Sequence, residues 1–222
     1  MPAEASLWRA SADDTLQLVL DRADAPGLLV QALKAIPWQS RSLARLGRVA
    51  TTPALAPQVA AALLALDARV VTDPSSEQAE VAIEAFLGSG LGSSPSEIRL
   101  PLAEFLWGSC RVARTPADSP IVSAYACIAL GTSHKEIDQA RIALTGAWPE
   151  PARLAASAGR LSGRTLSDET IAATAAAVAE ECRPVGDYLG SEEYRRAMAG
   201  VVSARALRSC AEQMRAGAER AA

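Results

Sequence analysis

The stretch Ile121-Val122-Ser123-Ala124-Tyr125-Ala126-Cys127-Ile128-Ala129-Leu130 decides the architecture of the second half of this chain. Side chains alternate across an extended strand, so Val122, Ala124, Ala126, Ile128 and Leu130 share one face. Ile121, Ser123, Tyr125 and Cys127 fall on the other, which is nearly as apolar. Such a strand is buried on both faces and reads as the middle of a sheet. Flanking strands are expected over residues 107–113 and 137–145. The turns between them are Thr115-Pro116-Ala117-Asp118 and Gly131-Thr132-Ser133-His134. Links this short make an antiparallel meander the natural topology.

The pattern then changes from a period of two to a helical one. Residues 151–161 read as a short helix ended by Ser162-Gly163. Ser167 caps a second helix with Ile171, Ala175, Val178 and Cys182 as its inner stripe. Pro184 and Gly186 separate it from a long third helix, capped by Ser191 with Glu192 and Glu193 in its first turn. Its expected inner stripe is Tyr194, Met198, Val201, Val202, Leu207, Cys210 and Met214.

Upstream, Ser11-Ala12-Asp13-Asp14 before Leu16, Leu18 and Leu20 reads as a helix start, broken at Ala25-Pro26-Gly27. Leu28, Leu29, Ala32, Leu33 and Ile36 have helical spacing, and Pro37 stops them. Residues 38–55 read as irregular. Pro57 suits the first turn of a helix carrying Val59, Leu63 and Leu66. Residues 68–72 are expected to be a strand ending at Asp73-Pro74-Ser75-Ser76. Residues 80–87 are ambiguous between strand and helix. Gly88-Ser89-Gly90-Leu91-Gly92-Ser93-Ser94-Pro95 has the composition of a linker, so the domains are drawn as 1–96 and 97–222. The fold class is α+β: a truncated α/β subdomain, then a three-stranded antiparallel sheet packed on a three-helix bundle.

With 222 residues and a net charge of −3, the chain can bury a core and carries no basic run for nucleic acid. No stretch approaches the ~18–20 apolar residues of a membrane span. Met1-Pro2-Ala3-Glu4 has no signal-peptide character, which points to the cytoplasm. Cys110, Cys127, Cys182 and Cys210 are widely spaced and His134 is the sole histidine, so free thiols are expected and no metal site. Ser123, Ser133, His134 and Asp138 lack the elbow a hydrolytic triad requires. Glu180-Glu181 and Glu192-Glu193 are adjacent pairs pointing to different sides of a helix, not paired catalytic acids. No catalytic residue is assigned.

Several stretches resemble one family in the right order. Arg111-Val112-Ala113-Arg114-Thr115-Pro116-Ala117-Asp118 with Pro120-Ile121-Val122-Ser123 is similar to its Lys-Val-Ala-Arg-Arg-Pro-Ala-Asp-Phe-Pro pattern. Ala140-Arg141-Ile142-Ala143-Leu144-Thr145-Gly146 resembles its next strand, and Gly190-Ser191-Glu192-Glu193-Tyr194-Arg195-Arg196 its last helix start. The family these stretches resemble is the FAD-binding medium subunit of molybdenum hydroxylases, of the carbon monoxide dehydrogenase and xanthine dehydrogenase type. In the family a Thr-Ile-Gly-Gly-Asn loop precedes a helix similar to Gln58-Val59-Ala60-Ala61-Ala62-Leu63-Leu64 and holds the FAD diphosphate. Here Arg45-Leu46-Gly47-Arg48-Val49 stands in that place, with Gly47 retained and Arg48 where the second glycine belongs. A Cβ obstructs close approach of a phosphate to the main chain. An aspartate that the family keeps before the helix falls on Gln58, and nothing corresponds to its first FAD-gripping subdomain, so an N-terminal truncation is expected.

The resemblance therefore implies a flavoprotein-subunit-like, structural component with a largely lost FAD site. Its residual contacts would be Gly47 and Arg48, with Arg114 and Asp118 near the old flavin ring. The partners it implies are a molybdopterin large subunit and an iron–sulfur small subunit, with a homodimer left open. One alternative is a working FAD electron-transfer subunit that completes its site with another chain. A second is a stand-alone small-ligand-binding protein. Trp38 replaces a small residue of the family pattern and is expected to plug the emptied cavity.

Overall fold

Strand β6 (Val122–Leu130) is buried over its first seven residues and pairs antiparallel on both sides, as its two apolar faces require. Its neighbours are β5 (Phe105–Val112) and β7 (Ile137–Thr145), with Gly108 opposite Ala126 and Ala126 opposite Ile142. These positions come from a computed structural model, which describes residues 7–72, 80–89, 94–101, 105–115, 118–131 and 136–221. Residues 73–76, 90–93, 116–117 and 132–135, on which parts of the expected turns and linker fall, lie outside the described residues.

A short fourth strand, β8 (Arg153–Leu154), extends the sheet in the order β5-β6-β7-β8. The helix expected over 151–161 is instead this strand followed by a 3-10 segment, Ala156–Leu161. The Glu181 carboxylate fixes that segment's start by accepting from the Ala156 and Ser157 N–H groups at 2.8 and 2.9 Å and from the Ser157 hydroxyl at 2.7 Å. The helical layer is therefore two α-helices, α7 (Asp168–Glu181) and α8 (Glu192–Ala221), with the 3-10 segment in place of a third. The Ser167 cap forms, with Thr170 returning the hydrogen bond to the Ser167 N–H.

Small residues set how close these layers come. A Cβ on Gly108 would stand 2.0 Å from the Ala206 carbonyl oxygen, so α8 crosses β5 in direct contact with its main chain. A Cβ on Gly200 would be 3.1 Å from the Ala175 carbonyl oxygen, which brings α7 against α8. This crossing corrects the expected α8 stripe. Val202, Leu207 and Cys210 of that stripe are buried and Met198 and Met214 pack on the core, but Tyr194 and Val201 are 40% and 36% exposed, and Arg195, Ala199 and Ala206 are buried as well. A close crossing selects the alanine face, and large side chains on it would hold the helix off the sheet.

The other compact unit, Met1–Ala103, contains a sheet in the order β1-β4-β2-β3 with every pairing antiparallel. Its strands are β1 (Leu7–Ser11), β2 (Arg69–Val71), β3 (Glu80–Ala82) and β4 (Glu97–Pro101). β4 bonds to both β1 and β2 and buries Ile98 and Leu100, so the spatial division follows Ala103, not residue 96. Ser11 ends β1 and caps no helix. The cap of α1 (Leu16–Asp21) is Thr15, whose hydroxyl accepts from the Leu18 N–H. α2 (Gly27–Lys34) and α5 (Pro57–Ala65) sit where apolar spacing put them. Residues 38–55, read as irregular, hold α3 (Trp38–Leu43), α4 (Leu46–Thr51) and the 3-10 turn Pro53–Leu55. Helices this short carry too few turns for a legible stripe, and α3 buries none of its residues. Residues 80–87 are both of their alternatives in turn, strand β3 and then α6 (Ile83–Ser89). Among the described residues no helix is long and apolar enough to cross a membrane.

Candidate functional site

The turn that opens α4 is built against the connection between β1 and α1. Arg45 takes an extended conformation before the helix and no side chain caps it. An α-helix leaves its first N–H groups without helical partners, and this is what makes such a turn an anion site. Here those groups are already taken. The Leu46 N–H donates to the Asp14 carbonyl at 2.9 Å, the Gly47 N–H to the Ala12 carbonyl at 2.8 Å, and the Arg48 N–H to the Arg45 carbonyl at 3.0 Å. Gly47 is buried, and a Cβ there would lie 2.7 Å from the Ala12 Cβ. The glycine makes room for Ala12. The first three N–H groups of this turn are thus engaged by protein carbonyls, and the exposed Arg48 carries its side chain beside them.

Arg114 and Asp118 lie in the other unit, at the end of β5, and belong to one turn. The Asp118 carboxylate accepts from the Thr115 N–H at 3.0 Å, and the Asp118 N–H donates to the Thr115 carbonyl at 3.2 Å. Arg114 reaches away, donating to the Tyr188 carbonyl at 2.6 Å with its guanidinium 5.8 Å from the Tyr188 ring centre. Gly47 thus adjoins Arg48, and Arg114 shares a turn with Asp118, but the two pairs are on separate units.

The turn carrying Tyr188 is a hub that the sequence did not announce. Asp187 accepts from the Leu189 and Gly190 N–H groups and from the Arg195 guanidinium at 2.7 Å. The Arg195 hydrogen bond, the largest influence, holds the Asp187 carboxyl below the usual carboxylate range. Arg195 is 5% exposed and also donates to the Ile121 carbonyl at 2.6 Å, joining the starts of β6 and α8. Gly146 adopts φ +69, and a Cβ there would meet the Ile121 carbonyl oxygen at 2.1 Å and Arg195 at 2.9 Å. The signal for this hub was the Gly-Ser-Glu-Glu-Tyr-Arg-Arg stretch, whose arginine needs a buried acceptor set.

Other expectations meet specific geometry. Trp38 is 62% exposed, which removes it as a cavity plug. The Ser123 hydroxyl is buried and pairs with the Thr145 hydroxyl at 2.7 Å, so it is a sheet residue and no nucleophile. Cys127, Cys182 and Cys210 are buried and Cys110 partly so, none of the four is in a disulfide, and burial pushes the Cys182 thiol up to about 12. Among the described residues no group of three His, Cys, Asp or Glu side chains could hold a metal ion.

The fold resembles that of the flavoprotein medium subunit of molybdenum hydroxylases. Residues 111–210 match the family model of the CO dehydrogenase flavoprotein C-terminal domain. The carbon monoxide dehydrogenase medium chain of Hydrogenophaga pseudoflava is 33% identical over 85 residues. That match covers 38% of this chain and only 30% of the relative's length. A solved carbon monoxide dehydrogenase from the same organism, lacking the Mo-pyranopterin moiety of its molybdenum cofactor, superposes with a TM-score of 0.80 at 25% identity. It aligns with 95% of this chain and 77% of the solved one. Quinoline 2-oxidoreductase from Pseudomonas putida 86 has a TM-score of 0.77 at 21% identity, over 96% of this chain and 77% of its own, and so shares the fold.

Proposed function

We propose that this chain is a structural, flavoprotein-subunit-like component of a molybdenum hydroxylase complex, with its FAD site largely lost. The observation that carries this reading is the closed first turn of α4, where Leu46, Gly47 and Arg48 spend their N–H groups on protein carbonyls. A cofactor site encloses most of its ligand, and a wall already bonded to its own chain has nothing to give the diphosphate. The rear domain is meanwhile kept with its hub intact, as expected of a part that still braces neighbours. Those neighbours are proposed to be a molybdopterin large subunit and an iron–sulfur small subunit, in the cytoplasm. The carbon monoxide dehydrogenase and quinoline oxidoreductase relatives motivate that choice.

A titration of the purified chain with FAD, followed by flavin fluorescence and calorimetry, tests the reading. No saturable binding is expected at micromolar concentrations. Stoichiometric, tightly held FAD on the chain alone overturns it. The competing reading is a working electron-transfer subunit that completes its FAD site with another chain, and one observation favours it. The exposed Arg48 guanidinium has the geometry to take phosphate oxygens. Repeating the titration on the assembled complex separates the two, because only the second predicts that Arg48→Ala lowers the flavin content.

A further inference from the structure

The outer face of α7 is acidic, that of α8 is basic on balance, and both have an apolar middle. On α7 the exposed positions are Glu169, Ala172, Ala173, Ala176 and Glu180, spaced three and four apart, with Asp168 beside the first. On α8 they are Tyr194, Ala197, Val201, Arg205, Arg208, Glu212 and Arg215, again three and four apart, with Glu193 beside the first, so three arginines outnumber the acids along that side. Each set therefore lies along one side of its helix. Tyr194 and Val201 are 40% and 36% exposed, unusual for residues of that size on a helix whose other side is fully packed. α7 has no basic residue along its length. The two helices pack against each other through Gly200, Ala175 and Ala179, so these outward faces are neighbours in one helical layer.

We propose that this layer is the docking surface for a second copy of the chain, with α7 of each copy lying on α8 of the other. A two-fold axis makes every contact occur twice, so the acidic α7 face of one protomer meets the basic α8 face of its partner on both sides of the axis. The exposed alanines of α7 allow close approach, and Tyr194 and Val201 supply the large apolar side chains that fill it. The result is a four-helix arrangement whose rim is closed by Glu–Arg pairs. A like-with-like arrangement of α8 on α8 would juxtapose arginines and is disfavoured by the same charges. The occupant is a second copy because one chain carries both complementary halves.

Two charge-reversal variants test this by sedimentation and light scattering. In the first, Arg205→Glu with Arg208→Glu makes both faces acidic. In the second, Glu169→Lys with Glu180→Lys makes both basic. All four side chains are exposed, and circular dichroism checks that each variant is folded. The wild-type chain is expected to run at twice the mass of one chain. Each variant alone is expected to self-associate roughly tenfold or more weakly, and an equimolar mixture to recover a dimer, since acid–acid and base–base copies are then fully complementary. A wild-type chain that stays monomeric across the concentration range overturns the proposal. So do variants that dimerise as the wild type does, or a mixture that stays monomeric. None of these results bears on FAD, so this proposal and the functional reading fail separately.

Discussion

Single atoms decide the most at Gly47 and Arg195. Gly47→Ala places a methyl group 2.7 Å from the Ala12 Cβ, in a turn held by three main-chain hydrogen bonds. Overpacking of this kind costs about 1–3 kcal/mol, read as a lower urea midpoint at constant slope. Pairing it with Ala12→Gly is expected to recover part of that loss, because the closest contact disappears while Ala12's own main chain stays 3.1–3.3 Å away. No recovery at all would mean that Gly47 is kept for another reason. Arg195 is the larger case. Arg195→Met strips the Ile121 carbonyl of its donor and leaves Asp187 without its guanidinium, a loss of roughly 2–4 kcal/mol. It also changes the pH response. Asp187 has a depressed folded-state value, so its contribution is present above the ordinary value of 3.8 and fades as pH falls through the folded one. The variant should therefore lose less stability than wild type on acidification through that range, as followed by urea midpoints at successive pH values.

At the scale of elements, the close crossing of α8 over β5 is the most demanding feature. Gly108→Ala would drive a methyl group to 2.0 Å from the Ala206 carbonyl, an oxygen fixed in helix main chain. A cost of about 3 kcal/mol or more is expected, and a thermal midpoint within a degree or two of wild type would show that α8 does not sit where described. The 3-10 segment Ala156–Leu161 depends on Glu181. Burial pushes that carboxyl up, but the Ser157 hydroxyl and the Ser157 and Ala156 N–H groups outweigh it and hold it below 4.5. Its stabilisation is thus complete above about 4.5, the unfolded value, and is lost as pH drops through the folded one. Glu181→Gln is expected to cost roughly 1–2 kcal/mol at neutral pH and to be nearly silent in acid, which a pH series of unfolding curves reads directly. These two elements also show where sequence reading succeeds and stops. β6, β7, α2, α5 and the Ser167 cap were legible because each carries a long period or a local hydrogen bond. The outward placement of Tyr194 and Val201 on α8 was not, because the contact that brings Ala206 to the sheet is with Gly108, 98 residues away in the numbering. β8 and the helices of residues 38–55 were too short to show a period at all.

For the molecule as a whole, the candidate site illustrates the same limit. The replacement of a glycine by Arg48 was visible in the chain, and so was the retained Gly47. That Gly47 serves Ala12 was not, because it depends on a β1–α1 connection over thirty residues earlier. Arg114 and Asp118 were grouped by resemblance alone, and their protein partners, Tyr188 and Thr115, were not legible in the chain. The division into units carries its own consequence. The core cluster running from Ile121 to Ala211 lies wholly within Glu104–Ala222, as do the four strands of its sheet and the Asp187–Arg195 hub. A domain with its own core has what independent folding needs. Residues 104–222 expressed alone are therefore expected to unfold in one cooperative transition with native near-ultraviolet dichroism. Arg195→Met should cost that fragment the same as it costs the full chain, within about 0.5 kcal/mol. A fragment with helical far-ultraviolet signal but no near-ultraviolet signal would be a molten state, and would show that this core needs the first unit to complete it.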